Sequence, residues 1–374
     1  MSLVVKPVET SREQKLFLEL PWEIYRDDPN WIPPLRQNQK ELTGCVPHPF
    51  FKENKAQRFL ALRDGKAVGR IVAIVNHGHI QRYKEQRGFW GFFECEDNQE
   101  TATALFDAAK AWLKAQGMAS MRGPANPSMN YECGLLLEGF DSPPFFMMTF
   151  NRPYYAALIE GCGQTKTQDM YAFWGELGML DGLDDKVRFV FRECQTRFNL
   201  TTRQLNWWQL KKEVRMYLDI YNQSLIGTWG FVPMSPAEAD HMAASLRFLL
   251  APEMTTIAEV DGKPIGAVFG LLDYNPRIKQ IDGKLFPFGW MKLLWNRKAI
   301  KNIRLIATNV IPEYQRWGVG IVLLGKLVPQ VRTWGVKEAE FSWVLESNHL
   351  SYKTLKRGGA KLTKTYRMYD GDIA

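Results

Sequence analysis

The sequence predicts an α/β (α+β) protein of two tandem units, each a mixed, mostly antiparallel central sheet flanked by helices. Three observations predict it. Strand patterns and amphipathic helix patterns alternate along the whole chain. The order of elements and turn signals recurs once, with a period of roughly two hundred residues. The 374 residues exceed one typical domain, and a 45% hydrophobic content with 13 Trp and 22 Phe suffices for full cores.

In the first half, 3–8 reads as a strand and 11–25 as a helix with Ser11 at its N-cap. Prolines in 27–34 impose a loop. Residues 58–63 and 66–76 are strands joined by Asp64-Gly65, a strong hairpin signal. A third strand covers 89–95. Helix 100–116 turns Leu105, Ala108, Ala109, Trp112 and Leu113 inward and stops at Gly117. Strand 120–123, helix 152–160 and strand 166–173 complete the half.

The second half repeats this order. Strand 200–205 and helix 208–224 lead to Thr228-Trp229-Gly230-Phe231-Val232-Pro233, which echoes Asn30-Trp31-Ile32-Pro33. The hairpin text Asp261-Gly262-Lys263-Pro264-Ile265-Gly266 mirrors Asp64-Gly65-Lys66-Ala67-Val68-Gly69. Near the ends, Asn151, Tyr155, Leu158 and Gly161 have the same spacing as Asn348, Tyr352, Leu355 and Gly358.

The most informative stretch is 309–320, Asn-Val-Ile-Pro-Glu-Tyr-Gln-Arg-Trp-Gly-Val-Gly, followed by Ile321-Val322-Leu323-Leu324. It reads as a buried strand, a tight glycine turn and a helix start. Such a turn aims backbone N–H groups outward at the positive end of a helix dipole, which suits phosphate or pyrophosphate. Gln315 and Arg316 stand at its rim. Gln315-x-x-Gly318-x-Gly320, after the lead-in Val310-Ile311-Pro312-Glu313-Tyr314, resembles the acyl-CoA loop of the GNAT superfamily of N-acetyltransferases. Asn348 to Ala360 resembles that family's Asn-containing helix and following glycine, and a strand of the same type is expected at 361–369.

The resemblance implies residues 1–175 as a degenerate GNAT-like domain, 176–199 as a linker helix and 200–374 as the domain with the acyl-CoA loop. It implies that the strand ending in Val310 and Ile311 holds the pantetheine arm. Gln315, Arg316, Trp317, Gly318, Val319 and Gly320 would hold the pyrophosphate, and Asn348 would face the cofactor arm. The cofactor is acetyl-CoA or another acyl-CoA, and the acceptor a small-molecule or peptide amine. Many members carry a Tyr seven residues after the Asn as general acid; here that position is Leu355, and Tyr352 is the substitute. Glu313 and Glu346 are the candidate bases. No HExxH motif, Ser-His-Asp order or carboxylate cluster points to a metal or a nucleophile.

In the first copy the loop position holds Glu94-Cys95-Glu96-Asp97-Asn98-Gln99-Glu100, whose four carboxylates would repel a pyrophosphate. Those acids could instead attract an amine or cap a helix. The second copy carries an insertion, 275–301, with Phe286-Pro287-Phe288-Gly289-Trp290 among Lys and Arg. It reads as a long hairpin, a lid over an apolar substrate, or a basic aromatic edge touching a membrane. The cost of leaving such a cluster bare favours the first two.

The net charge of +8 favours an anionic partner. Five scattered cysteines without a CxxC pair argue against a disulfide framework or structural zinc and fit a reducing cytoplasmic setting. No window has the ~18–20 apolar residues of a spanning helix. Three functions follow: an acyl-CoA-dependent N-acyltransferase, a peptide-bond-forming enzyme of similar fold using aminoacyl-tRNA, or a non-catalytic acyl-CoA-binding protein. An internal pair can replace a dimer, so a monomer is expected.

Overall fold

Caps and turns set the boundaries of the elements. Thr10, not Ser11, caps the first helix, because Glu13 lies three residues beyond it. The Glu13 carboxylate accepts from the Glu9 and Thr10 amides at 3.0 Å, while Thr10 Oγ1 accepts from the Glu13 amide. The two Asp-Gly turns close two-residue hairpins, pairing Arg63 with Lys66 and Val260 with Lys263.

A computed structural model describes residues 2–179 and 184–373. Its elements run β1 (Leu3–Pro7), α1 (Ser11–Ile24), α2 (Arg36–Leu42), α3 (Phe50–Glu53), β2 (Lys55–Arg63), β3 (Lys66–Val75), α4 (His77–Tyr83), β4 (Arg87–Cys95) and α5 (Gln99–Ala115). Then come β5 (Ser120–Gly123), β6 (Ala125–Asn126), β7 (Glu132–Cys133), β8 (Leu135–Glu138), α6 (Tyr155–Gly161), β9 (Thr165–Glu176) and α7 (Asp184–Phe198). The rest are β10 (Leu200–Arg203), α8 (Leu210–Ser224), α9 (Pro236–Leu246), β11 (Thr255–Val260), β12 (Lys263–Leu272), α10 (Asn275–Gln280), α11 (Gly289–Leu294), β13 (Asn302–Val310), α12 (Val319–Thr333), β14 (Glu338–Leu345), α13 (His349–Arg357) and β15 (Lys361–Asp372).

Two compact units form. Unit 1 is Met1–Met170, Asn275–Lys292 and Lys364–Ala374; unit 2 is Tyr171–Tyr274 and Leu293–Thr363. The C-terminal strand therefore finishes the sheet of unit 1, pairing antiparallel with β5 from Tyr369↔Gly123 to Asp372↔Ser120. The span 176–199 contributes α7, which packs on α12 and β10 within unit 2.

In unit 1 the strand order is β1-β2-β3-β4-β5-β15, antiparallel except for β4 with β5. Alternation along β3 sends Ile71 and Ala73 to α5, where they meet Leu105, Phe106 and Ala109. It sends Val72 and Ile74 to α1, against Phe17 and Leu18. In unit 2, β14-β13-β12-β11-β10 has the same plan. Ala267 of β12 lies with Ile220 of α8 in one cluster, while a Cβ on neighbouring Gly266 would lie 3.3 Å from Leu323 of α12. Helices α8 and α12 thus cover opposite faces of that sheet.

The insertion departs from its expected form. It is helical, with α10, α11 and a 3-10 turn at Arg297–Ala299, rather than a long hairpin. The cluster expected to bury itself stays in solvent: Phe286, Phe288 and Trp290 are all exposed. The helix expected at 152–160 starts three residues later, at Tyr155. Among the described residues no helix is long and apolar enough to cross a membrane.

Candidate functional site

The site begins with an irregularity in β13. Phe269 pairs with Ala307 and Gly270 with Leu305, so β13 bulges at Ile306. Its parallel pairing with β14 runs from Asn302↔Glu338 to Leu305↔Phe341 and stops there. Beyond that point the two strands part. Ile311 N donates to Ile265 O at 2.9 Å, so strand alternation turns the Thr308 and Val310 N–H groups away from β12, toward the opening.

The chain then turns through a short 3-10 segment, Pro312–Trp317, into α12. Gly318 caps the helix at φ 78°, a left-handed conformation that costs any side chain energy. The Val319 and Gly320 amides have no partner within the helix, the amide of Ile321 being the first to close on Gly318 O, at 2.9 Å; they lie at the positive end of α12, the physical basis of an anion site. Gly320 stands in that first turn; a Cβ there would sit 3.4 Å from Thr308 Cγ2, so the approach is open. Arg316 and Glu313 are exposed at the rim.

Gln315 has a different role from the one its rim position suggests. Its Nε2 donates to Val310 O at 3.0 Å and Ser224 O at 3.2 Å, stapling the turn to the end of β13 and to α8. Trp317 is held by α7: Arg197 lies 3.8 Å over its ring, and Phe198 is 5.3 Å away.

The C-terminal residues divide. Asn348 Oδ1 accepts from the Ser351 amide at 3.1 Å, so its carbonyl oxygen caps α13. Tyr352 packs on β9, its ring 5.3 Å from Tyr171 and 5.2 Å from Phe173. Glu346 is half-buried just past the end of β14. Val310, Ile311 and Gln315 to Gly320 thus form one continuous structure around the start of α12, while Asn348 and Tyr352 are held by other contacts.

Sequence reasoning missed a polar strip on the α8 face. Opposed residues in an antiparallel pair share a face, so Asn309, opposite Ala267, and Arg304, opposite Leu271, both turn toward α8. Asn309 Nδ2 donates to Tyr217 Oη at 3.2 Å, and burial pushes that phenol well above its ordinary range. Arg304 Nε donates to Ser342 Oγ at 2.8 Å, which donates to Glu340 Oε1 at 2.7 Å. Tyr217 also lines an apolar cavity of about 60 Å³ with Met242 and Leu246 of α9 and Phe269 of β12. Only the i, i+2 spacing of Glu340 and Ser342 could have signalled the strip, and alone that is a common pattern.

The corresponding place in unit 1 is filled by its own chain. Strands β4 and β5 pair from Arg87↔Ser120 to Phe89↔Arg122 and then part. Asn126 of β6 enters there, its Oδ1 accepting from Phe92 N at 2.6 Å, and a Cβ on Gly91 would lie 2.0 Å from Ala125 O. Three of the four acids of that loop are already engaged, and the fourth, Asp97, is exposed. Tyr25 and Tyr155 each donate to Glu94 at 2.8 Å, and burial raises its pKa against the pull of Arg70. Glu96 and Glu100 pair with Arg63, and Asn98, not an acid, caps α5.

No protein-family model matches the chain. It is 35% identical to Protein YghO of Escherichia coli (strain K12) over 376 aligned positions, covering 99% of this chain and 95% of that protein. It is 33% identical to the bacterial ceramide synthase of Caulobacter vibrioides (strain NA1000 / CB15N) over 377 positions, 98% of this chain and 97% of that one. Among solved structures, the tandem GNAT protein from the clavulanic acid biosynthesis pathway, without AcCoA, matches with a TM-score of 0.59 at 12% identity, covering 100% of this chain and 99% of that chain. At that identity the likeness is one of fold.

Proposed function

For this chain, which belongs to the GNAT superfamily of acyltransferases in its tandem form, we propose transfer of a fatty acyl group from acyl-CoA to the amino group of a long-chain amino alcohol, giving an amide. The observation that carries the reading is the parted β13–β14 pair, continuous with a glycine turn at the positive end of α12. An extended arm ending in phosphates fits that combination of strand N–H groups and helix terminus. The acceptor class is suggested by the ceramide synthase relative, similar over nearly its whole length.

The residues present suit the donor. The Thr308 and Val310 N–H groups would bind the pantetheine amides, and the first amides of α12, with Arg316, would hold the pyrophosphate. Gly320 keeps that approach free of a side chain, and Gln315 fixes the turn. When bound, acyl-CoA supplies an activated thioester carbonyl. Of the two candidate bases, Glu346 is favoured over Glu313, because it stands half-buried just past the end of β14, the strand that parts from β13. Tyr352 is assigned as proton donor to the departing CoA thiolate, which leaves as the thiol. Its hydroxyl has no hydrogen-bond partner among the described residues, in keeping with that role.

The test is a CoA-release assay with acetyl-CoA and palmitoyl-CoA against sphinganine, hexadecylamine and a panel of water-soluble amines, with mass spectrometry of the product. The expected outcome is an amide from the long-chain pair. Turnover confined to acetyl-CoA and soluble amines would overturn the lipid reading and leave the acyl-transfer reading standing. Absence of any acyl-CoA binding would overturn both.

A further inference from the structure

In unit 1 the chain from Ile281 to Lys292 forms an anchored base and a bare tip. The base is fixed from several directions. The Asp282 carboxylate accepts from Trp22 Nε1 at 2.5 Å and from Arg36 Nη2 at 2.9 Å. Arg36 also donates its Nε to Asp282 O at 3.2 Å and its backbone N to Gly283 O at 3.0 Å. Backbone closes on backbone at both ends of the tip: a Cβ on Gly283 would lie 2.1 Å from Pro34 O, and one on Gly289 1.8 Å from Lys284 O. Trp290 completes the turn, its N donating to Leu285 O at 2.8 Å and its Nε1 to Pro287 O at 3.1 Å.

The tip that this base holds is apolar and projecting. Phe286 is 80% exposed, Phe288 70%, and Trp290 and Met291 47% each. Exposed Lys284 and Lys292 flank them, Lys284 Nζ lying 3.2 Å from the Asp282 carboxylate of the base, and residues 284–301 contain five Lys or Arg and no acid. Large apolar side chains gathered on one tip cost hydration free energy unless something covers them. Side chains that stand this far out do not line a groove into which a folded partner fits. They suit a soft apolar medium that closes around them. Aromatic side chains with flanking cations, and no acid on the tip itself, match the boundary between acyl chains and anionic headgroups.

We propose that this tip docks the protein on an anionic lipid bilayer, with Phe286 and Phe288 entering the acyl boundary and Lys284 and Lys292 meeting headgroup phosphates. The proposal is independent of the acyl-transfer reading, because docking needs neither donor nor acceptor.

The test is flotation of the full chain with vesicles of phosphatidylcholine alone and of phosphatidylcholine mixed with phosphatidylglycerol. The protein is expected to float with the mixed vesicles, less so as salt screens the lysines. The double change Phe286→Ser and Phe288→Ser should lower the partition coefficient on the order of a hundredfold, about tenfold for each ring withdrawn from the boundary. Its melting temperature in buffer should not fall, since both rings are exposed. The pair Lys284→Gln and Lys292→Gln should remove the preference for anionic vesicles. Failure of the unaltered protein to float with either vesicle would overturn the proposal. So would equal flotation of the double Ser variant, or conversion of a self-associated protein to monomer by that variant with no change in flotation.

Discussion

Two glycines of one turn answer to different physics, and substituting each separates binding from folding. Gly318 has φ 78°, and a Cβ there would lie 2.9 Å from Val190 Cγ1. A side chain at Gly318 therefore adds left-handed strain of ~1–2 kcal/mol and a contact that must shift. Gly320 carries neither burden, since a Cβ at that position would meet nothing nearer than Thr308 Cγ2 at 3.4 Å. In Gly320→Glu, losing a helical glycine gains ~0.5–1 kcal/mol, and an acid in the first turn gains a further ~0.3–1 kcal/mol from the helix dipole. The fold should hold its melting temperature or rise slightly, while the new carboxylate takes the place proposed for pyrophosphate. The assay is a thermal shift with palmitoyl-CoA. At a hundred times the dissociation constant the ligand adds ~2.7 kcal/mol to the unaltered protein, about 5–10 °C for a unit of this size. Gly320→Glu should lose that shift. Retention of the full shift would refute the anion site; a variant that melts well below the parent in buffer would refute the structural argument. Gly318→Glu is expected to melt lower even without ligand.

Three further outcomes are expected. Tyr352→Phe should lower kcat by about 10²–10⁴ with KM and melting temperature little changed if its hydroxyl protonates the thiol, whereas unaltered kcat would leave Tyr352 as packing for Tyr171 and Phe173. Gln315→Ala should lose two hydrogen bonds, cost unit 2 about 1–2 kcal/mol in chemical denaturation and raise KM for acyl-CoA more than for acceptor. Asp370 is held below its ordinary pKa: burial opposes ionisation, but the hydrogen bond from Arg122 and the charges of Arg122 and Arg87 outweigh it. A depressed carboxylate stabilises the fold above its unfolded pKa of ~4, and that contribution is lost as pH falls through the lower folded value. Acid unfolding of Asp370→Asn should lack this component, and identical acid profiles would show that the pairing adds nothing.

The elements of both copies were legible where local chemistry is self-sufficient. Asp-Gly fixes a hairpin without help from elsewhere, and the apolar face of α5 follows from its spacing. Helix α9 was legible too and went unread: Ser235-Pro236-Ala237-Glu238 is a capping box, with Ser235 Oγ accepting from Glu238 N and the Glu238 carboxylate accepting from Ser235 N. What could not be read depends either on partners distant in sequence or on a choice between two local roles. Arg304 turns toward α8 only because β13 bulges at Ile306, and the bulge is visible only in its pairing with β12. Asn348 reads equally as a cofactor contact or a cap until Ser351 is seen donating to it. The exposed tip was misjudged because the hydration cost of its aromatics is real, while the anchors that hold it out, Trp22 and Arg36, lie about 250 residues away in the chain.

The two copies also show that a fold can be kept while its opening is closed. Both carry a strand pair that runs parallel for a few residues and then parts. In unit 2 the next segment leads through two glycines to a helix start, and the Thr308 and Val310 N–H groups face away from β12, where the acyl-CoA arm is proposed to lie. In unit 1 the corresponding strand carries Phe92 at a positive φ of 51°, and its amide is answered by Asn126 from the same chain. A backbone N–H that would otherwise be available to a ligand is thereby satisfied internally. The charge follows the same logic: the first helix turn of α5 holds Glu100 and binds Glu96 through Thr101, both paired with Arg63, so that end is already occupied by anions of the protein's own. Absence of glycines in that loop is then a consequence as much as a cause, since a turn that no ligand approaches has no need of them.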